Sequence, residues 1–150
     1  RLQKGLGKAG RKADEGEPMI TINAVVDAVL ALAQGVTTYS VKRGPLGTGP
    51  GIIMEPEPSA PATTFFDKNT IYDLGVVLNG KDTSMQAITE AMNLIHSALT
   101  RAFSYPSAQN WQILNIVTQS SPALIERQEN DFWLYGSALT IQFYFRGDDL

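Results

Sequence analysis

Apolar side chains recur at helical spacing in two stretches of the chain. Between Thr21 and Gln34 they predict an amphipathic helix, with Thr21 as N-cap and Gly35 as C-terminal stop. A second helix of about five turns is expected to begin after Asp82 or Thr83 and to end near Phe103. Its apolar positions repeat after three and four residues: Met85, Ile88, Met92, Ile95, Leu99 and Ala102.

Strand patterns fill the remainder of the chain. Short strands are expected over Val36–Val41 and Thr70–Leu78, and Asn79-Gly80 predicts a turn after the second. Strands joined by short turns indicate an antiparallel meander, so the predicted fold is α+β: a mostly antiparallel sheet with two helices packed on one face. The C-terminal half holds four extended stretches, broken by Ser120-Ser121-Pro122 and by the polar turn Glu129-Asn130-Asp131: 110–118, 124–128, 132–135 and 138–146.

The segment 44–61 differs in composition from the rest of the chain. It holds five of the eight prolines and four glycines, which predicts a long loop with a brief strand over 51–55. Loops of this length are uncommon unless they reach a partner. We therefore expect residues 44–66 to contact a neighbouring subunit or ring, and Gly47–Pro58 to be dispensable for the fold.

Composition and charge favour one globular domain over residues 19–150. Hydrophobic residues make up 43% of the 150 and charged residues 18%. Residues 1–18 carry five basic and three acidic groups and two large apolar side chains, which predicts a flexible basic arm, either functional or non-native. No stretch resembles a signal peptide or reaches the ~20 apolar residues of a membrane helix, so no membrane partner is expected.

The chemistry available to the chain is limited. The absence of cysteine excludes disulfides, thiolate zinc sites and cysteine nucleophiles, and a single histidine excludes a multi-histidine metal site. His96 lies at the edge of the second helix's apolar stripe, where a packed or solvated side chain is expected rather than a catalytic base. We predict no catalytic, metal-binding or cofactor-binding residues and no cofactor. The formal net charge of -3 disfavours attraction of DNA over the whole surface.

An aromatic cluster provides the candidates for a subunit interface. Aromatic side chains near loops are enriched at the buried centres of protein interfaces. Adjacent residues of a strand face opposite ways, so Phe132 and Trp133 cannot both enter one layer, and one of them needs another cover. The interface candidates are Phe65, Phe66, Phe132, Trp133 and Tyr135.

The sequence also resembles a known family over about residues 19–147. The strand 71–78, the tetrapeptide Asn79-Gly80-Lys81-Asp82 and the long helix after it look like the "strand, Arg/Asn-Gly-x-Asp, helix" centre of phage tail terminator proteins, also called minor capsid or tail-completion proteins. The stretches 121–128, 131–135 and 138–145 are similar to the family's "P-x-L-(I)-x-R-x-E…W-x-Y…I-x-Y/F" ending.

This resemblance implies a structural role without catalysis. Family members form a hexameric ring that caps the tail tube and docks onto head-completion or connector proteins, while DNA passes through the lumen as cargo. The implied location is the neck or tail of the virion, with the host cytoplasm as the site of assembly.

Two alternatives stay open from the sequence. The first is another neck protein, such as a head-tail adaptor or a tail-tube subunit, although tube proteins are mostly β and the long second helix favours the terminator. The second is a small ligand-binding or catalytic α+β domain, which would need a pocket with convergent polar groups.

Overall fold

A computed structural model of the chain describes residues 8–57, 61–64 and 69–146. Within these ranges the strands form a single sheet in the order β1-β2-β4-β6-β5, and β3 pairs with β4 beyond the end of β2. All of these pairs are antiparallel except β1 with β2, so the predicted α+β fold with a mostly antiparallel sheet is confirmed. The elements in chain order are α1 (Lys8–Gln34), β1 (Val41–Lys42), β2 (Gly51–Pro56), β3 (Pro61–Thr64), β4 (Thr70–Asp82), α2 (Met85–Thr100), β5 (Trp111–Arg127) and β6 (Trp133–Phe145).

The core lies between one face of the sheet and the two helices. Alternate residues of β4 and β6 are buried under α2, while α1 packs beside α2 over β1 and β2. Tyr72 of β4 stacks on Phe143 of β6 with ring centroids 5.2 Å apart. Apolar residues recur with a period of two in the strands and of 3.6 in the helices. In both cases they lie on the face that is turned toward the layer between sheet and helices. The largest fully buried side chains are Phe143, Ile52, Met54, Leu74, Leu78, Ile88, Met92, Ile95, Leu99, Ile116, Leu139 and Ile141.

Helix α1 begins earlier than the hydrophobic pattern predicts. It starts at Lys8 rather than Thr21, so residues 8–18 of the predicted arm are helical, while residues 1–7 lie outside the described residues. The added turns are rich in Lys, Ala, Arg and Glu, which are good helix formers, and extending an existing helix needs no new nucleus. The flexibility and the origin of the arm stay predictions.

The segment after α1 is a turn rather than the strand expected over 36–41. The Gln34 side chain donates to the Tyr39 carbonyl at 2.7 Å and accepts from the Val41 N–H at 2.8 Å. These two bonds fold the chain back on the end of the helix, and the strand that remains is the two-residue β1.

Strand β4 runs through the Asn79-Gly80 pair, where a turn was expected. Both residues are paired on both sides, with β2 and with β6. A Cβ on Gly80 would lie 3.0 Å from the Ile88 Cδ1 and Met92 Sδ atoms. Glycine here permits the close approach of α2 to the sheet, which a two-residue turn motif does not reveal.

Helix α2 is capped by Ser84, and the expected caps Asp82 and Thr83 are both wrong. The Ser84 hydroxyl accepts from the Ala87 N–H at 3.2 Å, which satisfies a free donor of the first turn. Asp82 is engaged elsewhere, with Tyr39. The helix ends at Thr100, slightly before the predicted end.

The proline- and glycine-rich segment contains an element of the core. Strand β2 confirms the brief strand expected inside it, and Ile52 and Met54 of that strand are almost fully buried, with exposed fractions of 1% and 0%. This burial argues against the expectation that Gly47–Pro58 is dispensable for the fold. Arg43 fixes the start of the segment, because it lies 3.6 Å from carboxylate oxygens of both Asp27 and Glu55.

Candidate subunit interface

The last two strands form a long hairpin, and its outer strand, β5, is an edge of the sheet. The hairpin turns where the Gln128 N–H donates to the Phe132 carbonyl at 2.8 Å, which confirms the predicted polar turn. Asp131 has a φ of 68°, a left-handed conformation that Asp and Asn tolerate better than most residues. Pro122 does not interrupt the strand, contrary to the sequence prediction, since β5 continues to Arg127.

Bulges allow β5 to continue past the proline. The pairing of β6 with β4 is regular throughout, whereas the register of β5 against β6 shifts in the intervals 113–115, 118–120, 120–123 and 124–126. Each shift adds a residue to β5 against its partner. Bulges bend a strand, increase its twist and redirect side chains, and they are common at sheet edges.

The C-terminal part of β5 is exposed despite its apolar content. From Val117 to Arg127 every residue is exposed except the half-buried Pro122. Leu124 and Ile125 expose 48% and 55% of their surface, and Val117 and Leu114 expose 45% and 42%. Gly136 lies beneath Ile125, because a Cβ there would be 2.7 Å from the Ile125 Cδ1 atom.

Two of the predicted interface aromatics lie beside the hairpin turn, each near a cation. Trp133 is half-buried, packs against the core and has the Arg127 guanidinium 5.1 Å from its ring centre. Phe132 is half-buried with the Lys81 ammonium 5.1 Å from its ring centre. Both aromatics therefore keep exposed surface that a second subunit can cover.

The other three candidates are not brought to this surface. Tyr135 is 7% exposed and belongs to the core of its own chain, which leaves little of it for a partner. Phe65 and Phe66 lie outside the described residues.

Sequence reasoning missed Leu124 and Ile125. The available signal was the run Ala123-Leu124-Ile125, which does not alternate as a half-buried strand does and which is followed by charged residues. We interpreted this run as an ordinary continuation of the strand. Its side chains instead lie on an open edge.

A hydrogen bond from Tyr39 to Asp82 joins the turn after α1 to the end of β4. Burial opposes ionisation of Asp82, but hydrogen bonds from the Tyr39 hydroxyl and from the Thr83 and Ser84 backbone outweigh it, and the pKa of Asp82 falls below its usual value. Burial, together with the hydrogen bond to Asp82 and its charge, raises the pKa of Tyr39. The pair is thus a neutral phenol bonded to a carboxylate at neutral pH.

His96 is buried within the fold and hydrogen-bonds to hydroxyls on two strands. Its Nδ1 lies 2.9 Å from the Thr118 Oγ1, and its Nε2 lies 2.7 Å from the Ser137 Oγ. Burial lowers the pKa of His96, which keeps the ring neutral at neutral pH. His96 and Ser137 are only 6% and 4% exposed, so a substrate has no access to the hydroxyl.

The sheet face opposite the helices carries a shallow polar depression of about 240 Å³. Its side chains bond to one another: the Gln142 Nε2 donates to the Asp73 Oδ1 at 3.2 Å, and the Thr140 hydroxyl donates to the Gln119 Oε1 at 3.1 Å. Asp73 is the one ionisable group in its lining, so the depression does not assemble an acid and a base.

The described part of the chain offers neither a metal-ligand cluster nor a helix suited to span a membrane. Residues 8–57, 61–64 and 69–146 contain no cluster of three or more His, Asp or Glu side chains suited to a metal ion. Neither α1 nor α2, over the same ranges, is both long and apolar enough to cross a bilayer.

Comparison with solved structures shows where this fold occurs. The chain is similar to a chain from the structure titled "Virion of native gene transfer agent (GTA) particle", with a TM-score of 0.55 and 16% sequence identity. The match covers 81% of this chain and 92% of the other, so the two share the fold over about four fifths of this chain. No protein-family model matches the sequence, and no curated protein matches it.

Proposed function

We propose that this chain is a structural subunit of a phage-like virion, and more specifically a tail terminator in the neck of the particle. The observation that carries the proposal is the fold shared over 92% of a chain from a gene transfer agent virion. The residue patterns that resemble the tail terminator family lie on β4, on the start of α2 and on the β5–β6 hairpin, which are adjacent elements of one sheet and its covering helix.

In this role the chain assembles into a homomeric ring, most simply a hexamer, that caps the tail tube. A closed ring requires heterologous contacts between unlike surfaces of neighbouring copies. The ring then meets a head-completion or connector protein, and DNA passes through its lumen as cargo. The exposed loop between β1 and β2, residues 43–50, is the candidate contact with one of these partners.

The proposal includes the absence of catalysis. Its support is the chemistry of the described residues: the His96–Ser137 pair is closed to substrate, and the single carboxylate of the open polar depression, Asp73, has no second ionisable group beside it. The resemblance favours a terminator over a tube subunit because α2 supplies a four-turn helix over the sheet.

Native mass spectrometry and negative-stain electron microscopy of the purified protein test the proposal. We expect the purified protein to form closed rings with a central opening. Deletion of the gene from the strain that produces the particle should give tails of unregulated length and unjoined heads. Monomers at every concentration, combined with normal particles from the deletion strain, would exclude the structural role. Incorporation of the chain along the whole tail tube would favour the tube-subunit alternative.

A further inference from the structure

The outer side of β5 is covered by the chain itself for its first three residues and then left open. The Ala108 N–H donates to the Trp111 carbonyl at 2.8 Å, and the Ile113 N–H donates to the Pro106 carbonyl at 3.2 Å. Beyond Ile113 no backbone group from the described part of the chain bonds to the outer side of the strand. The open stretch, 114–127, runs beside ten residues of β6, 133–142, which is about 33 Å at ~3.3 Å per residue and more than enough to seat a strand of ordinary length.

The open edge also carries a large share of the exposed apolar surface. Of the eight large apolar side chains exposed in the described ranges, four belong to β5: Leu114, Val117, Leu124 and Ile125. A long apolar edge is a template for pairing with another chain, and proteins that stay monomeric usually protect such edges. The bulges of β5 bend the edge, so that it suits a partner that follows the same curvature and not a flat strand.

The opposite edge of the sheet differs in shape. There β1 has two residues, β2 ends at Pro56 and β3 begins at Pro61. Proline has no N–H to donate, so this edge offers fewer partners to an incoming strand. Contact between one long and one short edge joins unlike surfaces, which is the type of contact that closes a ring.

The two edges carry unpaired charges of opposite sign, although Arg43 beside Lys42 lies 3.6 Å from both Asp27 and Glu55, which makes the short edge neutral as a whole. The hairpin end beside β5 holds three carboxylates and one guanidinium, and that guanidinium, on Arg127, lies 3.0 Å from Asp131. The carboxylates of Glu126 and Glu129 outnumber the other cation at this end, the Lys81 ammonium beside Phe132, which leaves a net negative charge. On β1, Lys42 is exposed and has no carboxylate within 4.0 Å among the described residues.

We infer that the outer edge of β5 docks against the β1 edge of the next copy of this chain. The inference rests on the proposed ring and identifies the surface through which its subunits meet. Leu124 and Ile125 supply the apolar centre of the contact, and Lys42 of the neighbouring copy lies toward the acidic hairpin end.

Two variants with matched exposure test the contribution of the edge. Leu124→Lys places a charge in the contact, and Leu94→Lys makes the same change on the exposed side of α2, where Leu94 is 51% exposed. Native mass spectrometry over a concentration series, after circular dichroism has established folding, should show that Leu124→Lys needs at least tenfold more protein to form rings. Leu94→Lys should assemble like the wild type. Val117→Lys is the second edge variant, used if Leu124→Lys does not fold.

The chain has no cysteine, so any disulfide that forms must join cysteines introduced by mutation. Leu124→Cys combined with Lys42→Cys should give, on mild oxidation, a ladder of cross-linked species up to the full ring, while each single variant stays uncross-linked. Cross-linked dimers from Leu124→Cys alone would show a symmetric β5–β5 contact and overturn the inference. Rings that tolerate both edge variants would overturn the assignment of β5 but leave the proposed function intact, whereas a wild-type chain that never assembles would overturn both.

Discussion

His96 and Ser137 connect helix α2 to strand β6 through a buried hydrogen bond of 2.7 Å between the imidazole Nε2 and the serine hydroxyl. The other ring nitrogen bonds to Thr118 of β5, so one side chain joins the helix to both strands of the C-terminal hairpin. A neutral imidazole provides one donor and one acceptor, and a hydroxyl can fill either role, so both contacts are satisfied without a charge. His96 is thus a packed structural link, in agreement with the sequence prediction that it is not a catalytic base.

This link predicts a pH dependence of stability. The pKa of His96 is lowered in the folded protein, whereas in the unfolded chain it is about 6.5. The unfolded state therefore binds the proton first, and stability is complete above about pH 6.5 and decreases as the pH falls below it, by at most ~1.4 kcal/mol per pH unit. Urea unfolding of the wild type and of His96→Gln between pH 7.5 and 5 measures the difference in slope, and equal slopes would contradict the prediction.

Truncation of the same residue separates stability from assembly. His96→Ala removes one buried and one partly buried hydrogen bond and leaves two hydroxyls to find new partners, so we expect a loss of about 1–3 kcal/mol of unfolding free energy. Ring formation and particle joining should be unchanged at temperatures where the variant is folded. An inactive but well-folded His96→Ala would indicate a chemical role.

Gly80 is expected to be intolerant of a side chain. A Cβ there would lie 3.0 Å from Ile88 and Met92 atoms and 3.2 Å from Ile52, all fully or almost fully buried. Overpacking of this kind typically costs about 1–3 kcal/mol, so Gly80→Ala should lower the midpoint of thermal unfolding. Gly47→Ala is the control, because a Cβ there has no atom within 4 Å, and its midpoint should stay near that of the wild type.

The segment 44–61 should behave as two parts. Removal of 51–56 deletes β2 together with the buried Ile52 and Met54, and the chain should lose its cooperative unfolding transition. Removal of 46–49, from the exposed loop before β2, should leave the transition in place, because loop length contributes weakly to stability. A folded protein without β2 would show that the sheet does not depend on that strand.

The sequence predicted those features that depend on a local period. The alternation of β6 appears in the structure at the expected residues, and the apolar stripe of α2 is buried at Ile88, Met92, Ile95 and Leu99, because each is set by which face the side chains present to one core. Two predicted members of the stripe differ: Met85 is 46% exposed, and Ala102 lies beyond the end of α2. The α+β class follows from the same two periods.

The features that were missed depend on distant partners. Asn79-Gly80 has the composition of a turn, but pairing with β2 and β6 on both sides keeps it extended, and no local motif reports that pairing. The register shifts of β5 occur because β6 is already held straight by β4, so the mismatch is absorbed at the edge. Leu124 and Ile125 are exposed because they lie on that edge strand. A run of apolar residues is also typical of a buried strand, so the sequence alone does not show that these two are exposed.

The hydrogen bond between Tyr39 and Asp82 gives the last prediction, which concerns acid stability. The pKa of Asp82 is lowered in the folded state, so its contribution is present above the unfolded value of about 3.9 and is lost as the pH falls through the folded value. Tyr39→Phe removes the phenol hydroxyl, raises the Asp82 pKa toward its ordinary value and should cost about 1–2 kcal/mol at pH 7, where a hydrogen bond to a charged group is lost. The difference between wild type and variant should shrink as the pH falls below about 3.9 and through the lowered pKa of folded Asp82, because Asp82 becomes protonated in both proteins. Urea unfolding at pH 7 and pH 3 measures the two differences.

Tyr105→Phe is the matched control. The Tyr105 hydroxyl donates to the Leu99 carbonyl at 2.7 Å, and since a carbonyl does not titrate, the cost of this substitution should be the same at both pH values. A Tyr39→Phe cost that persists unchanged at pH 3 would mean that the carboxylate is not the partner that matters.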